Sequence, residues 1–155
     1  MGKTYNEVHN AAIIFANSAK ILNAAWEKGL KPNVSKSNSN VLLQNMVPAF
    51  VLMSFSCELF LKALAIKNGN TVKNVHELND LFEIISDQDK TNISNAVIND
   101  IAKITKNKYS CSDFNNDIDN ISNTFKEWRY YYENSKSLNI LFLKSLFNVL
   151  INYSG

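Results

Sequence analysis

The stretch from Val41 to Ile66 constrains this chain more than any other. It is long, dense in apolar residues, and interrupted by only a few polar or helix-breaking positions, chiefly Gln44, Asn45, Pro48, Glu58 and Lys62. Apolar residues fall on nearly every side of the helix it predicts, so that helix has to be surrounded. Length alone would let it cross a bilayer, but Glu58 and Lys62 would put two ionised groups into hydrocarbon. The stretch therefore predicts the central helix of a bundle with no membrane contact. It runs from about Val41 to Asn68 and ends at Gly69, with Pro48 kinking it or marking a late start.

The remaining segments supply the neighbours. Tyr5, Val8, Ala12, Phe15, Ala19, Leu22 and Trp26 recur at spacings of three and four, which predicts a first helix closed by Gly29 and Pro32. A polar loop, Lys31 to Asn40, follows. A shorter helix is expected over Val75 to Ser86, with Leu78, Leu81, Phe82 and Ile85 inward. The next spans about Thr91 to Lys106 on Ile93, Val97, Ile101 and Ile104. Asn107 to Asn116 reads as a loop. Ile118, Ile121, Phe125, Trp128 and Tyr132 form the stripe of a fifth segment, and Leu138, Leu141, Phe142, Leu146, Val149 and Leu150 that of a last helix, about Ser137 to Tyr153. With only 4 Gly and 2 Pro, a turn-dense β architecture is disfavoured. The pattern predicts an all-α bundle of five to six helices in one domain over 1–155.

Composition narrows the function classes. A hydrophobic share of 46% against 19% charged residues excludes disorder. A formal charge of +2 is too small to mark a dedicated DNA-binding module, though local clusters can still hold phosphate. Cys57 and Cys111 have neither zinc-ligand spacing nor a disulfide framework, and Cys57 sits in an apolar run as a buried thiol would. The N-terminal residues show no apolar signal region, so a cytoplasmic location is expected. No phosphate loop, dinucleotide glycine pattern, metal cluster or nucleophile elbow is present, and no cofactor is expected.

Two charge pairs remain to be explained: Glu58-x-x-x-Lys62 and Arg129-x-x-x-Glu133. Four-residue spacing puts each pair on one helical face. Ser54, Glu58 and Lys62 form a polar line along the most apolar helix, and Arg129 lies on the shoulder of the fifth stripe. The pairs are expected to face each other and build a polar site inside the bundle. Closed, they are an internal ion network. Open to a cleft, Arg129 and Lys62 could hold a phosphate while a glutamate moves a proton. Tyr130 and Tyr131 leave the core stripe and suit an interface. His76, at the expected start of the third helix, fits a cap, a local hydrogen bond or a general base.

The segments Ser56-Cys57-Glu58-Leu59-Phe60-Leu61-Lys62, Val75-His76-Glu77-Leu78 and Trp128-Arg129-Tyr130-Tyr131-Tyr132-Glu133, in this order, resemble the HEPN superfamily over about Val41 to the C-terminus. The resemblance implies an up-and-down helical bundle that often forms a homodimer. It also implies a place in prokaryotic defence, toxin–antitoxin or RNA-processing systems. Active members cleave RNA without a metal through an Arg-x4-6-His motif, the ribose 2′-OH attacking the adjacent phosphate. Here Arg129 is followed by Asn134, Ser135 and Lys136 and no histidine, and the chain is similar instead to a variant Glu-x3-Lys…Arg-x3-Glu arrangement. The resemblance thus implies an RNA- or phosphate-interacting protein and, in its enzyme version, a metal-independent endoribonuclease in which Glu58, Lys62, Arg129 and Glu133 carry catalysis and Tyr130, Asn134 and His76 bind. The alternative is a non-catalytic dimerisation or partner-binding module, its partner being a protein of a two-gene system.

Overall fold

Two long helices paired along their length set the frame of the computed structural model, which describes residues 2–29, 39–124 and 139–153. Helix α1 spans Tyr5–Gly29 and α2 spans Ser39–Lys67. They run antiparallel, because positions ascending α1 meet positions descending α2. Lys67 lies over the Tyr5 ring, His9 meets Phe60, Phe15 meets Phe55 and Trp26 meets Phe50. The inward ridge of α1 is Ala12, Ala16 and Ala19, each at most 1% exposed. Such small residues let two backbones approach closely, and the buried Ser56 hydroxyl donates to the Ala12 carbonyl at 2.9 Å. The larger members of the expected stripe (Tyr5, Val8, Phe15, Leu22 and Trp26) are half-buried beside this ridge.

Pro48 lies inside α2 and does not start it. The stretch Gln44–Lys67 is long and apolar enough to cross a membrane, and 67% of its most apolar window is buried inside the bundle. The helix stops where the sequence places its end. Gly69 adopts φ +80°, its N–H donates to the Ile66 carbonyl at 3.0 Å, and the Asn70 N–H donates to the Ala65 carbonyl at 2.9 Å. This Schellman turn satisfies carbonyls the helix leaves open.

Four shorter helices close the core: α3 (Leu78–Ile84), α4 (Asp87–Thr105), α5 (Cys111–Ile121) and α6 (Ile140–Asn152). The described residues thus form an all-α bundle of six helices. α2 packs against α1, α3 and α6, and α4 packs against α5 and α6. Phe82, Phe114 and Phe142 form a row of rings linking α3, α5 and α6. Cys57 is buried, which pushes its thiol well above the ordinary range, while Cys111 is exposed.

Several boundaries and one facing differ from expectation. α3 begins at Leu78, not Val75, and α4 begins at Asp87, not Thr91, because the Ser86 side chain accepts from the Asp89 N–H and caps it there. The segment read as a loop to Asn116 is helical from Cys111, because Ser110 and Asp113 form a reciprocal capping box. α5 ends at Ile121, so of the stripe beginning at Ile118 it holds Ile118 and Ile121, and Phe125, Trp128 and Tyr132 lie outside the described residues. Ile104, expected inward, is 57% exposed: the buried line Ile93, Val97, Ile101 advances by four, which leaves Ile104 outside it just before the left-handed cap at Lys106.

Asp89 ties three chain segments together at the start of α4. Its carboxylate accepts from Tyr153 at 2.7 Å, Ser86 at 2.7 Å and Asn68 at 3.1 Å. Burial pushes this carboxyl up, but these hydrogen bonds and the nearby Lys67 charge outweigh burial and hold it below its ordinary value of 3.8. A depressed folded value stabilises the fold above the unfolded value, and that contribution is lost as pH falls through the folded one. Melting temperature should therefore drop as pH is lowered below about 4. Asp89→Asn should flatten that slope and cost about 1–3 kcal/mol at neutral pH. Thermal melts of both proteins across acid pH check this.

Candidate functional site

The polar line on α2 turns into the bundle. Ser54 is fully buried and Glu58 is 1% exposed, whereas the Lys62 side chain retains 13% exposure. One turn of helix separates Glu58 from Lys62, and the Lys62 Nζ donates to Glu58 Oε1 at 2.7 Å. A buried carboxylate needs such a partner, since desolvating a lone charge is costly. A second partner arrives from the connection between α2 and α3: His76 Nδ1 lies 2.9 Å from the same Oε1 atom.

The shorter of the two contacts to Nδ1 favours one imidazole tautomer. An ionised carboxylate only accepts, so the 2.9 Å contact requires a proton on Nδ1. The Lys62 Nζ is farther from Nδ1, at 3.4 Å, and is engaged with the carboxylate. With Nδ1–H directed at Glu58, the neutral ring keeps its lone pair on Nε2. The His76 side chain is 50% exposed, so the ring reaches solvent while its inner nitrogen is held by a buried charge. Lys62 uses one of its three N–H donors on Glu58 and can offer the others to an anion. The second carboxylate oxygen, Glu58 Oε2, and the Ser54 hydroxyl are buried without a hydrogen-bond partner among the described residues.

The connection bearing His76 is pinned on both sides. Before it stands the Schellman turn of α2, and the Asn70 side chain donates to the Ile84 carbonyl at 2.6 Å. Asn74 takes φ +64° and the Val75 N–H reaches the Val72 carbonyl. After it, α3 has Glu77 at its N-cap position with no side-chain cap bond. Its open donors are met from α5 instead: Leu78 N–H donates to the Ser122 carbonyl at 3.2 Å and Asn79 N–H to the Ser122 hydroxyl at 3.1 Å. His76 therefore does not cap α3. It makes a contact to a residue 18 positions earlier.

Of the site residues expected from sequence, the structure brings Glu58, Lys62 and His76 together. Arg129, Tyr130, Glu133 and Asn134 lie outside the described residues. Glu58 is shown as a buried hub committed to Lys62 and His76. The convergence of His76 on Glu58 was not legible, because nothing in local spacing links a loop histidine to a helix 18 residues away. His9 stacks on Tyr5 at 5.2 Å between ring centroids and meets Phe60 edge-on. Among the described residues no group of three or more His, Cys, Asp or Glu side chains could hold a metal ion. No protein-family model, curated protein or solved structure matches the chain.

The two partners of Glu58 should respond differently to removal. Lys62→Ala leaves a nearly buried carboxylate without its cation and should cost about 3–5 kcal/mol. His76→Ala removes a half-exposed ring and should cost under about 1 kcal/mol. Urea denaturation of the two variants separates these magnitudes.

Proposed function

We propose that the chain is a HEPN-like, metal-independent endoribonuclease in which His76 supplies the base that the usual Arg-x4-6-His motif would provide. The observation that carries this reading is the triangle at Glu58 Oε1, with Lys62 Nζ at 2.7 Å and His76 Nδ1 at 2.9 Å. A carboxylate on Nδ1–H orients the ring and stabilises the imidazolium that forms when Nε2 takes a proton. Lys62 Nζ lies 3.4 Å from Nδ1 of the same ring and is a cation that could offset negative charge developing on a transferring phosphoryl group.

In this mechanism the ribose 2′-OH gives its proton to His76 Nε2 and its oxygen bonds to the adjacent phosphorus. The bond from phosphorus to the 5′-oxygen breaks, leaving a 2′,3′-cyclic phosphate on one fragment. The departing 5′-oxygen takes a proton from water, and His76 later returns its proton to solvent. Lys62 stabilises the added charge on the phosphoryl oxygens. The resemblance assigns Arg129 the same duty, with Glu133 orienting it and Tyr130 and Asn134 contacting the strand. Glu58 holds and polarises and does not itself take the proton, since it is buried at 1% exposure while the His76 ring is the member of the pair that reaches solvent. The reading places the protein in prokaryotic defence or toxin–antitoxin systems, in the cytoplasm and as a homodimer.

A second reading, a non-catalytic dimerisation or partner-binding module, is favoured by one feature. Ile14 and Ile21 stand seven apart on α1 and are 64% and 71% exposed, a stripe suited to a second helix.

Incubation with mixed RNA in the presence of a chelator decides between them. Wild-type protein should generate ends bearing 2′,3′-cyclic phosphate. His76→Ala and Arg129→Ala should each lower the rate by about 10²–10⁴-fold while melting near the wild-type temperature in the case of His76→Ala. Intact RNA after incubation with folded wild-type protein, or equal cleavage by the His76 variant, removes the nuclease reading and leaves the module.

A further inference from the structure

Lys62 faces two ways. Besides its bond to Glu58, it lines a cleft of about 650 Å³ enclosed by the start of α1, the second half of α2 and the connection that carries His76. That volume falls within the roughly 300–1,000 Å³ typical of small-molecule sites. Val8, Leu59 and Val72 give the cleft apolar walls, and Lys3, Lys62 and Lys73 give it cations. The one acidic side chain on the lining, Glu7, accepts from the Thr4 backbone N–H at 2.8 Å and hydroxyl at 3.0 Å and also feels the Lys3 charge, so three cations face one carboxylate. Neither Lys3 nor Lys73 has an ion pair among the described residues. The lining thus calls for a ligand with an apolar body and an anionic end.

The shared lysine fixes how such a ligand would lie. On the ribonuclease reading its anion belongs at the Lys62 end, since Lys62 is the lining residue that also reaches His76, its Nζ 3.4 Å from Nδ1. Its body then runs back between α1 and α2. We propose that this cleft seats one nucleotide of the cleaved strand, phosphate toward Lys62 and base against Val8, Leu59 and Val72. The inference rests on the ribonuclease reading for the ligand's identity. α1 lies outside the region of HEPN resemblance, so the cleft wall it provides would be this chain's own addition to the site.

Calorimetric titration of the full chain with each of the four nucleoside 3′-monophosphates, with adenosine, with inorganic phosphate and with decanoate tests it. At least one nucleotide should bind about tenfold or more tightly than adenosine, phosphate or decanoate. The double variant Lys3→Gln/Lys73→Gln, and separately Ala11→Trp, which fills the cleft, should each weaken that binding by about tenfold. His76→Ala should leave it within about threefold. Equal binding of nucleotide and inorganic phosphate, preference for decanoate, no nucleotide binding, or binding indifferent to both cleft variants overturns the proposal. His76-dependent RNA cleavage alongside such a result would leave the nuclease reading standing. Cleft-dependent nucleotide binding without cleavage would retain the cleft and remove the nuclease.

Discussion

A single carboxylate oxygen organises the site. Glu58 sits on the most buried helix, 1% exposed, and a charge at that depth demands compensation. Lys62 provides it from one turn further along the same helix, at no cost in topology. His76 provides the rest, but only because a loop is carried to the right place. The other features of this end of the bundle follow from that need. The Gly69 turn ends α2 sharply, Asn70 ties it to the end of α3, and Ser122 from α5 meets the open donors of α3. A loop fixed at both ends can hold an imidazole nitrogen at hydrogen-bond distance while leaving half the ring in water. The consequence is chemical. A buried charge aligned with one ring nitrogen directs the basicity of the other outward, and the adjacent ammonium defines where an anion would rest.

The pairing of α1 with α2 has a related consequence. Alanines at 12, 16 and 19 draw the two backbones together, and the Ser56 hydroxyl bonds the Ala12 carbonyl across the contact. Near the start of α1, Val8 and Ala11 contribute to a cleft wall opposite Leu59 and Lys62. Close packing over one part of α1 and an open cleft beside another make this helix both structural support and wall. Elsewhere in the bundle, Ser145 on α6 donates to Asp100 on α4 at 2.7 Å, and Tyr153 reaches Asp89 and Asn92, which sets α4 and α6 antiparallel.

Much of the fold was legible because apolar spacing is a direct record of which helical face is buried. The all-α class, the central place of α2, its stop at Gly69, and the inward Leu78, Leu81, Phe82 and Ile85 all follow from that record. It is less informative about ends. Ser110-x-x-Asp113 is a visible capping box, yet an adjacent run of polar residues made Asn107 to Asn116 read as a loop. Periodicity also says which face is inward but not how closely two helices approach, so the alanine ridge was hidden among larger stripe members. For the site, the Glu58–Lys62 pair was legible from spacing, as local contacts are. The His76 contact depends on loop geometry and on Ser122, 43 and more residues away from the groups it fixes. The expected meeting of Glu58 and Lys62 with Arg129 and Glu133 falls outside the described residues.

The account turns on the proton at Nδ1 of His76, and nitrogen-15 NMR of the ring in the full-length wild-type protein reads it directly. At a pH where the ring is neutral, the account predicts the tautomer with hydrogen on Nδ1 and an unprotonated Nε2, and loss of that preference in Glu58→Gln. A ring protonated on Nε2, or one whose tautomer is the same in both proteins, would contradict it.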